Sequence, residues 1–148
     1  MKEKKSIDII ELYSTVLGEK VKEFDLPPPS FTVMKGEIIA YDKEKKTLLS
    51  KMPVLRDWLN PYGTMQGGMI NAAIDNAVGP LSLLVAPLNM TRTMETKYIK
   101  AITMELECIY VQAILVEEKK KRLTFEVVVM DEFKTVYTSS TVVNWIVE

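Results

Sequence analysis

The sequence predicts an α+β fold in which a mostly antiparallel sheet covers one long apolar helix. A helical pattern comes first, followed by two strand patterns, a markedly apolar helix and four more strand patterns. This order lacks the regular strand and helix alternation of parallel sheets. The apolar helix begins near Gln66 and has so few polar positions that we expect it to be covered nearly all round, by a sheet curled around it. We expect one domain over residues 1–148, with an N-terminal helix and linker over about 1–30.

The N-terminal part of the chain predicts a helix and then two strands. Apolar residues recur at helical spacing after Ser6, which is a plausible helix cap. Three prolines at 27–29 hold the backbone extended, so they should end the helix and lead into a strand. The expected elements are a helix over 7–22 and strands over 31–41 and 47–54.

The remaining elements are the central helix and four strands. Pro80 lacks a backbone donor and should interrupt the central helix, whose first segment is expected to end near Val78. Alternating apolar residues rich in Val, Thr, Tyr and Phe then predict strands. The expected strands cover about 93–100, 105–116, 123–130 and 134–147.

The composition excludes several chemistries. The chain has no histidine, which excludes Ser-His-Asp and Cys-His catalysis and histidine-ligated zinc. Cys108 is the single cysteine, so it cannot form an internal disulfide, and its place on a strand favours a buried apolar role. The glycines match no nucleotide-binding fingerprint. We therefore expect no metal and no separate cofactor.

The charge and hydropathy patterns limit the partners. Nineteen basic and twenty acidic side chains leave no overall field that would favour nucleic acid or a membrane surface. The longest apolar run is shorter than the ~20 residues that span a bilayer, and the N-terminus lacks a secretory pattern. We expect a cytoplasmic protein whose partners are small molecules or copies of itself. The charged run at 117–122 is interpreted as a solvated turn rather than a phosphate site.

The most informative segment is residues 60–77, which read NPYGTMQGGMINAAIDNA. Gly67 and Gly68 lie where a loop becomes a helix, so their N–H groups have no helical acceptor and can stabilise a carbonyl oxygen that gains charge. A tight helix entry explains the glycines equally well. Asp75 lies on an otherwise apolar helix face, where a carboxylate must be paired or used chemically. A structural acid satisfied by backbone donors is the alternative.

The spacing within this segment has a consequence for assembly. Gly67 and Asp75 are eight residues apart, which is roughly 12 Å along one helix. Groups this far apart cannot serve one carbonyl, so a shared site requires a second, antiparallel copy of the helix, as in a two-fold homodimer. Asn60 offers an amide that can donate to a carbonyl or orient water. Taken singly, however, Asn60 before a proline is more readily explained as a turn residue.

The motif Asn60-x2-Gly63-Thr64-x-Gln66-Gly67-Gly68-x6-Asp75-Asn76-Ala77 resembles the hotdog-fold acyl-CoA thioesterases, in the phenylacetyl-CoA thioesterase-like (PaaI-like) branch. The resemblance extends to the element order from about residue 30 onward. It implies that Gly67 polarises the thioester carbonyl and that Asp75 of the opposite subunit acts as general base or nucleophile. Asn60 matches the family's upstream asparagine. The family's hydroxyl residue on the next strand corresponds to Thr91, with Thr93 as the alternative.

The resemblance has one departure, at Gln66. The family has histidine there, in a His-Gly-Gly motif, and glutamine cannot carry a proton as imidazole does. Gln66 is therefore expected to contact the substrate rather than to transfer a proton. Gly68, next to Gly67, is also expected to contact the substrate. Coenzyme A enters only as part of the substrate.

Four functions follow as hypotheses. The first is an acyl-CoA thioesterase that works as a homodimer, with pairing of dimers into a tetramer left open. The second is a non-catalytic acyl-CoA or fatty-acyl binding protein that has lost turnover with the histidine. A hydratase of related fold is the third, and it is disfavoured because the dehydratases of that superfamily use a catalytic histidine, which this chain lacks. A dimeric regulatory domain, in which Asp75 serves only structure, is the fourth.

Overall fold

The computed structural model describes residues 5–147. Within this range six strands form one sheet, and every neighbouring pair is antiparallel. The strands are β1 (Glu37–Asp42), β2 (Thr47–Pro53), β3 (Asn89–Tyr98), β4 (Cys108–Lys119), β5 (Arg122–Met130) and β6 (Val136–Ile146). Their order across the sheet is β1-β2-β4-β5-β6-β3. The helices are α1 (Ile9–Leu17), α2 (Pro29–Val33) and α3 (Gly67–Val85).

Helix α3 packs on one face of the sheet and forms the core with it. Ala73, Ile74, Ala77, Val78 and Leu81 have no exposed surface, and they join the inward-facing residues of the strands in one apolar cluster. By length and composition alone α3 could cross a membrane, but a core helix meets the same criteria and half of this one is buried in the protein. The predicted α+β fold with a central apolar helix is confirmed.

The expectation that α3 is covered nearly all round is wrong. Gly68, Asp75 and Gly79 are exposed in the protomer, and they lie along one side of the helix. We call this exposed side the Asp75 face. The sheet buries the opposite side of the helix, so α3 is not completely buried in the protomer.

The N-terminal helix differs from its prediction in cap and length. Asp8, not Ser6, is the cap, because its Oδ1 accepts from the N–H groups of Ile10 at 2.9 Å and Glu11 at 3.3 Å. The α-helix ends at Leu17, since Gly18 adopts a φ of +56°. A 3-10 helix over Gly18–Glu23 follows, so the predicted single helix is divided.

The strand predicted over 31–41 begins later than expected. Residues 29–33 form α2 instead, because Pro29 sits in the first turn, where its missing N–H costs nothing. Helical geometry buries Phe31 in the core. A side-chain carbon at Gly36 would lie 2.6 Å from the Phe31 ring, so glycine lets the chain pass before β1 starts at Glu37.

Pro80 does not end the first segment of the central helix near Val78, as the sequence predicted. The helix continues to Val85, although Pro80 removes one backbone donor. Burial of Val78, Leu81 and Leu84 on the sheet side holds the helix together across the proline.

The later strands are confirmed with shifted ends. β3 starts at Asn89, before the expected 93, and β4 starts at Cys108, after the expected 105, because a 3-10 helix occupies Met104–Leu106. β3 is an edge strand that pairs only with β6 among the described residues. A bulge lies between Thr91 and Thr93, where Arg92 is the extra residue.

Candidate active site

The loop before α3 is held by Asn60. Its Oδ1 accepts from the N–H groups of Tyr62 at 2.9 Å and Thr64 at 3.1 Å, and its Nδ2 donates to Thr64 Oγ1 at 2.8 Å. The backbone N–H of Asn60 also donates to Thr64 O at 2.8 Å. All of these contacts lie within the turn, as expected for a turn residue. The second hydrogen of the Asn60 Nδ2 group has no partner among them.

The first turn of α3 leaves two amides without a helical acceptor. The N–H groups of Met69 and Ile70 both donate to Gln66 O, at 2.9 and 3.0 Å. Gly67 and Gly68 precede them, and the backbone bonds of the described residues include no acceptor for their N–H groups. These donors lie at the positive end of the helix dipole, which favours an oxygen that gains negative charge.

Tyr98 covers Gly67, a contact that the sequence analysis did not anticipate. Its hydroxyl donates to Gly67 O at 3.3 Å. A side-chain carbon at Gly67 would lie 3.2 Å from the Tyr98 ring, whereas one at Gly68 would meet nothing within 4 Å. Gly67 is therefore closely packed and Gly68 is open.

A groove of about 300 Å³ lies beside this end of the helix. Asn60 and Gly67 line it together, along with Tyr98 and Lys100. We call it the Gly67 groove. Gln66 is the N-cap residue and is exposed next to it, and its side chain makes no capping bond.

Asp75 lies two turns further along α3 and is exposed in the protomer, although the sequence places it on an otherwise apolar helix face. Its Oδ1 accepts a hydrogen bond from Thr91 Oγ1 at 2.9 Å. Thr91 is at the start of β3, so the strand fixes one oxygen of the carboxylate and the other remains open to solvent. Of Thr91 and Thr93, it is Thr91 that bonds to Asp75.

Thr93 lies on the other face of the sheet because of the bulge. Thr91 pairs with Asn144 and Thr93 with the adjacent Val143, so the two threonines point in opposite directions although they are two apart in sequence. Asn144 is buried on the helix side of the sheet. Thr91 shares that side with Asp75, whereas Thr93 does not.

The structure thus places the predicted residues in two groups on one helix. Asn60, Gln66, Gly67 and Gly68 lie at the start of α3, while Asp75 and Thr91 lie near its middle. Because α3 is continuous from Gly67 onward, the eight-residue interval corresponds to roughly 12 Å. One protomer does not bring the two groups to one reacting atom.

Comparison with solved structures identifies the architecture. A Ralstonia eutropha JMP134 protein described as a thioesterase and phenylacetic acid degradation-related protein superposes with a TM-score of 0.78 at 18% identity, covering 91% of this chain and 98% of that one. The PaaI protein from the E. coli phenylacetic acid degradation operon gives a TM-score of 0.76 at 10% identity, over 95% and 96% of the two chains. The chain has the hotdog fold.

A third hotdog structure contains a ligand. The Streptococcus mutans UA159 protein smu.793, solved bound to acetyl CoA, superposes with a TM-score of 0.68 at 18% identity, over 74% of this chain and 86% of that one. No protein-family model and no curated protein matches the chain by sequence. The structural neighbours therefore include PaaI-like thioesterases, although their sequences are distant from this one.

Other reactive groups of this hotdog domain lie elsewhere. Cys108 is half-buried at the start of β4, less enclosed than the sequence suggested. The pKa of the nearby Tyr110 phenol is raised, chiefly by burial and then by Cys108. Among residues 5–147, no group of three His, Cys, Asp or Glu side chains could hold a metal ion.

Proposed function

We propose that this protein hydrolyses acyl-CoA thioesters in a site that two copies of the chain build together. One observation carries the proposal: the exposed carboxylate of Asp75 is bonded to Thr91 of β3 and lies on the same helix whose first residue, Gly67, lines a groove. The hotdog thioesterases among the structural neighbours support this assignment.

A two-fold dimer through β3 would join the two groups. β3 is a ten-residue edge strand without proline, and such an edge is a template for pairing with another strand. Exposed apolar side chains accompany it, at Met90, Tyr98 and Ile99. Antiparallel pairing of β3 with the same strand of a second copy would also set the two α3 helices antiparallel.

The two contacts of β3 with α3 define the register of this dimer. Thr91, near one end of β3, contacts Asp75, and Tyr98, near the other end, contacts Gly67. Antiparallel pairing that sets Thr91 opposite Tyr98 of the partner subunit would bring Asp75 toward Gly67 of the partner subunit. The interface would also desolvate Asp75, which the single protomer leaves exposed.

The proposed reaction is hydrolysis, in which water replaces the coenzyme A thiol at the acyl carbon. The Gly67 N–H binds the carbonyl oxygen, and Asp75 of the partner subunit takes a proton from water as the water oxygen attacks the carbonyl carbon. The carbon–sulfur bond then breaks, and the coenzyme A thiolate leaves with the proton that Asp75 of the partner subunit had taken, which restores the carboxylate. Asn60 holds the loop that presents Gly67, and Thr91 orients the carboxylate. Gln66 and Gly68 contact the substrate at the start of α3.

The second candidate function is acyl-CoA binding without turnover. Gln66 is the observation that favours it, because it stands where the resembling family has histidine. Glutamine keeps the hydrogen-bonding capacity of the position without its proton transfer. In the proposed mechanism no proton passes through this side chain, so the exchange is compatible with hydrolysis.

Thiol release from a panel of acyl-CoA thioesters tests the proposal, using the wild type and Asp75→Asn. We expect hydrolysis of at least one thioester and a loss of about 10²–10⁴-fold in kcat for the variant. The melting temperature should stay close to that of the wild type, because asparagine has nearly the same volume and keeps the Oδ1 that accepts from Thr91. Binding of acyl-CoA without thiol release, or a fully active Asp75→Asn variant, would contradict hydrolysis by this site.

A further inference from the structure

We infer that the acyl chain of the substrate lies in a groove between the N-terminal segment and the end of α3, so that this site accepts medium-length aliphatic acyl groups. The groove has a volume of about 660 Å³, within the roughly 300–1,000 Å³ range of small-molecule sites. This inference rests on the proposed function, because it places the acyl carbonyl at Asp75. We call this cavity the acyl groove.

The Asp75 face of α3 connects Asp75 with the acyl groove. Gly79 follows Asp75 by one turn, is exposed, and has nothing within 4 Å of the position that a side chain would occupy. Leu83 follows by a second turn and lines the groove. Residues at intervals of four drift by only roughly 40° around a helix, so the three positions form a continuous strip.

The strip has a wall on each side near Asp75. On one side, Thr91 of β3 bonds to Asp75. On the other, α2 is tied to Asn76, whose Oδ1 accepts from Ser30 Oγ at 3.0 Å and whose Nδ2 donates to Met34 Sδ at 3.3 Å. The N-terminal segment therefore runs along α3 next to the carboxylate and continues to the acyl groove.

The lining of the acyl groove is apolar. Among the described residues that line it, Lys20 and Glu23 are charged, and the others offer aliphatic or aromatic surface. Val16 and Leu88 are each 48% exposed, and Phe24 is 36% exposed, so the apolar surface is accessible in the protomer. Principal contributors are Val16, Leu17, Phe24, Leu83, Val85 and Leu88. An alkyl chain matches this surface better than a polar or charged acyl group does.

The distance from the carboxylate sets the chain length. Asp75 and Leu83 are eight residues apart on one helix, or roughly 12 Å. An extended chain advances roughly 1.2 Å per bond, since an extended peptide covers about 3.6 Å over three bonds. An acyl chain of about ten carbons therefore reaches the acyl groove from a carbonyl at Asp75, while a two-carbon acyl group does not.

Binding of two non-hydrolysable thioethers, S-decyl-CoA and S-ethyl-CoA, tests this assignment in the full-length protein. Each methylene that is buried should raise affinity roughly fourfold, so burial of about three or four of the additional methylenes in the groove should make the decyl compound bind about a hundredfold more tightly. Val16→Asp and Leu88→Asp place a carboxylate in the groove and should remove most of this advantage without changing S-ethyl-CoA affinity. Val33→Asp is the matched control, because Val33 is 61% exposed and lies outside the groove lining.

The outcomes separate this inference from the proposed hydrolysis. Equal affinity for the two thioethers overturns the acyl groove even if thioesters are hydrolysed. Selective loss of decyl binding in both groove variants supports it even if no thioester is hydrolysed. If Val16→Asp instead changes the sedimentation mass and leaves decyl affinity unaltered, the groove is an interface between copies and the inference fails. If neither thioether binds, both the groove and the acyl-CoA function are contradicted.

Discussion

Thr91 Oγ1 donates a 2.9 Å hydrogen bond to Asp75 Oδ1, and this contact joins the edge strand β3 to the central helix at its one acidic residue. The bond occupies one carboxylate oxygen and leaves the second available. A base that is positioned in this way keeps a fixed direction toward a water molecule or a thioester carbon. The pair is therefore the most specific feature of the proposed site within a single protomer.

The threonine pair on β3 offers a matched test of this positioning. Thr91→Val removes the bond to Asp75 with little change in shape, and we expect kcat for thioester hydrolysis to fall about tenfold while KM changes little. Thr93→Val makes the same replacement on the other face of the sheet and should leave kcat unchanged. Steady-state kinetics of the two variants measure whether kcat falls in Thr91→Val alone. Equal losses would show that β3 as a whole, rather than the Thr91 bond, supports activity.

The backbone amide of Gly67 can be removed without a change of side-chain chemistry. Gly67→Pro deletes the N–H at a position where proline fits the first turn of a helix, and kcat should fall by about 10²–10³-fold. Gly67→Ala keeps the N–H and adds the same contact with the Tyr98 ring, at 3.2 Å. It should retain most of the activity. A similar loss in both variants would assign the effect to packing against Tyr98 instead of to the amide.

Gln66 distinguishes hydrolysis from binding alone. Restoring the imidazole with Gln66→His should change kcat by less than about tenfold, because no proton passes through this residue in the proposed mechanism. Gln66→Ala serves as the control for loss of hydrogen bonding. A wild-type protein that binds acyl-CoA without turnover, and that hydrolyses it once Gln66→His is introduced, would establish the binding function in its place.

The sequence predicts the fold well where periodicity determines the structure. The apolar run from Gln66 must be covered, and the alternating segments after it can cover it only as a sheet, which is the observed arrangement. The N-terminal part is less predictable because local rules compete there. Prolines 27–29 suit both an extended segment and a helix start, and burial of Phe31 decides for the helix.

The candidate site is predicted only in part, because the sequence reveals neither the register of β3 nor which side of α3 stays exposed. Helix spacing places Gly67 and Asp75 correctly relative to each other, since α3 continues through both. The bulge that separates Thr91 from Thr93 has no sequence signal, so strand alternation alone leaves the choice open. The contact of Tyr98 with Gly67 joins residues 31 apart, which no local pattern reveals. An apolar composition also overstates burial, because one side of α3 remains exposed in the protomer.

Mixed dimers test the central claim most directly. Co-expression of Asp75→Asn and Gly67→Pro chains with different tags, followed by purification through both tags, yields dimers with one chain of each kind. If Gly67 of one chain works with Asp75 of the other, each mixed dimer contains one intact site and should show about half of the wild-type activity per dimer, although each parent variant is nearly inactive. Mixed dimers as inactive as their parents, or a protein that sediments only as a monomer, would contradict a site built by two chains.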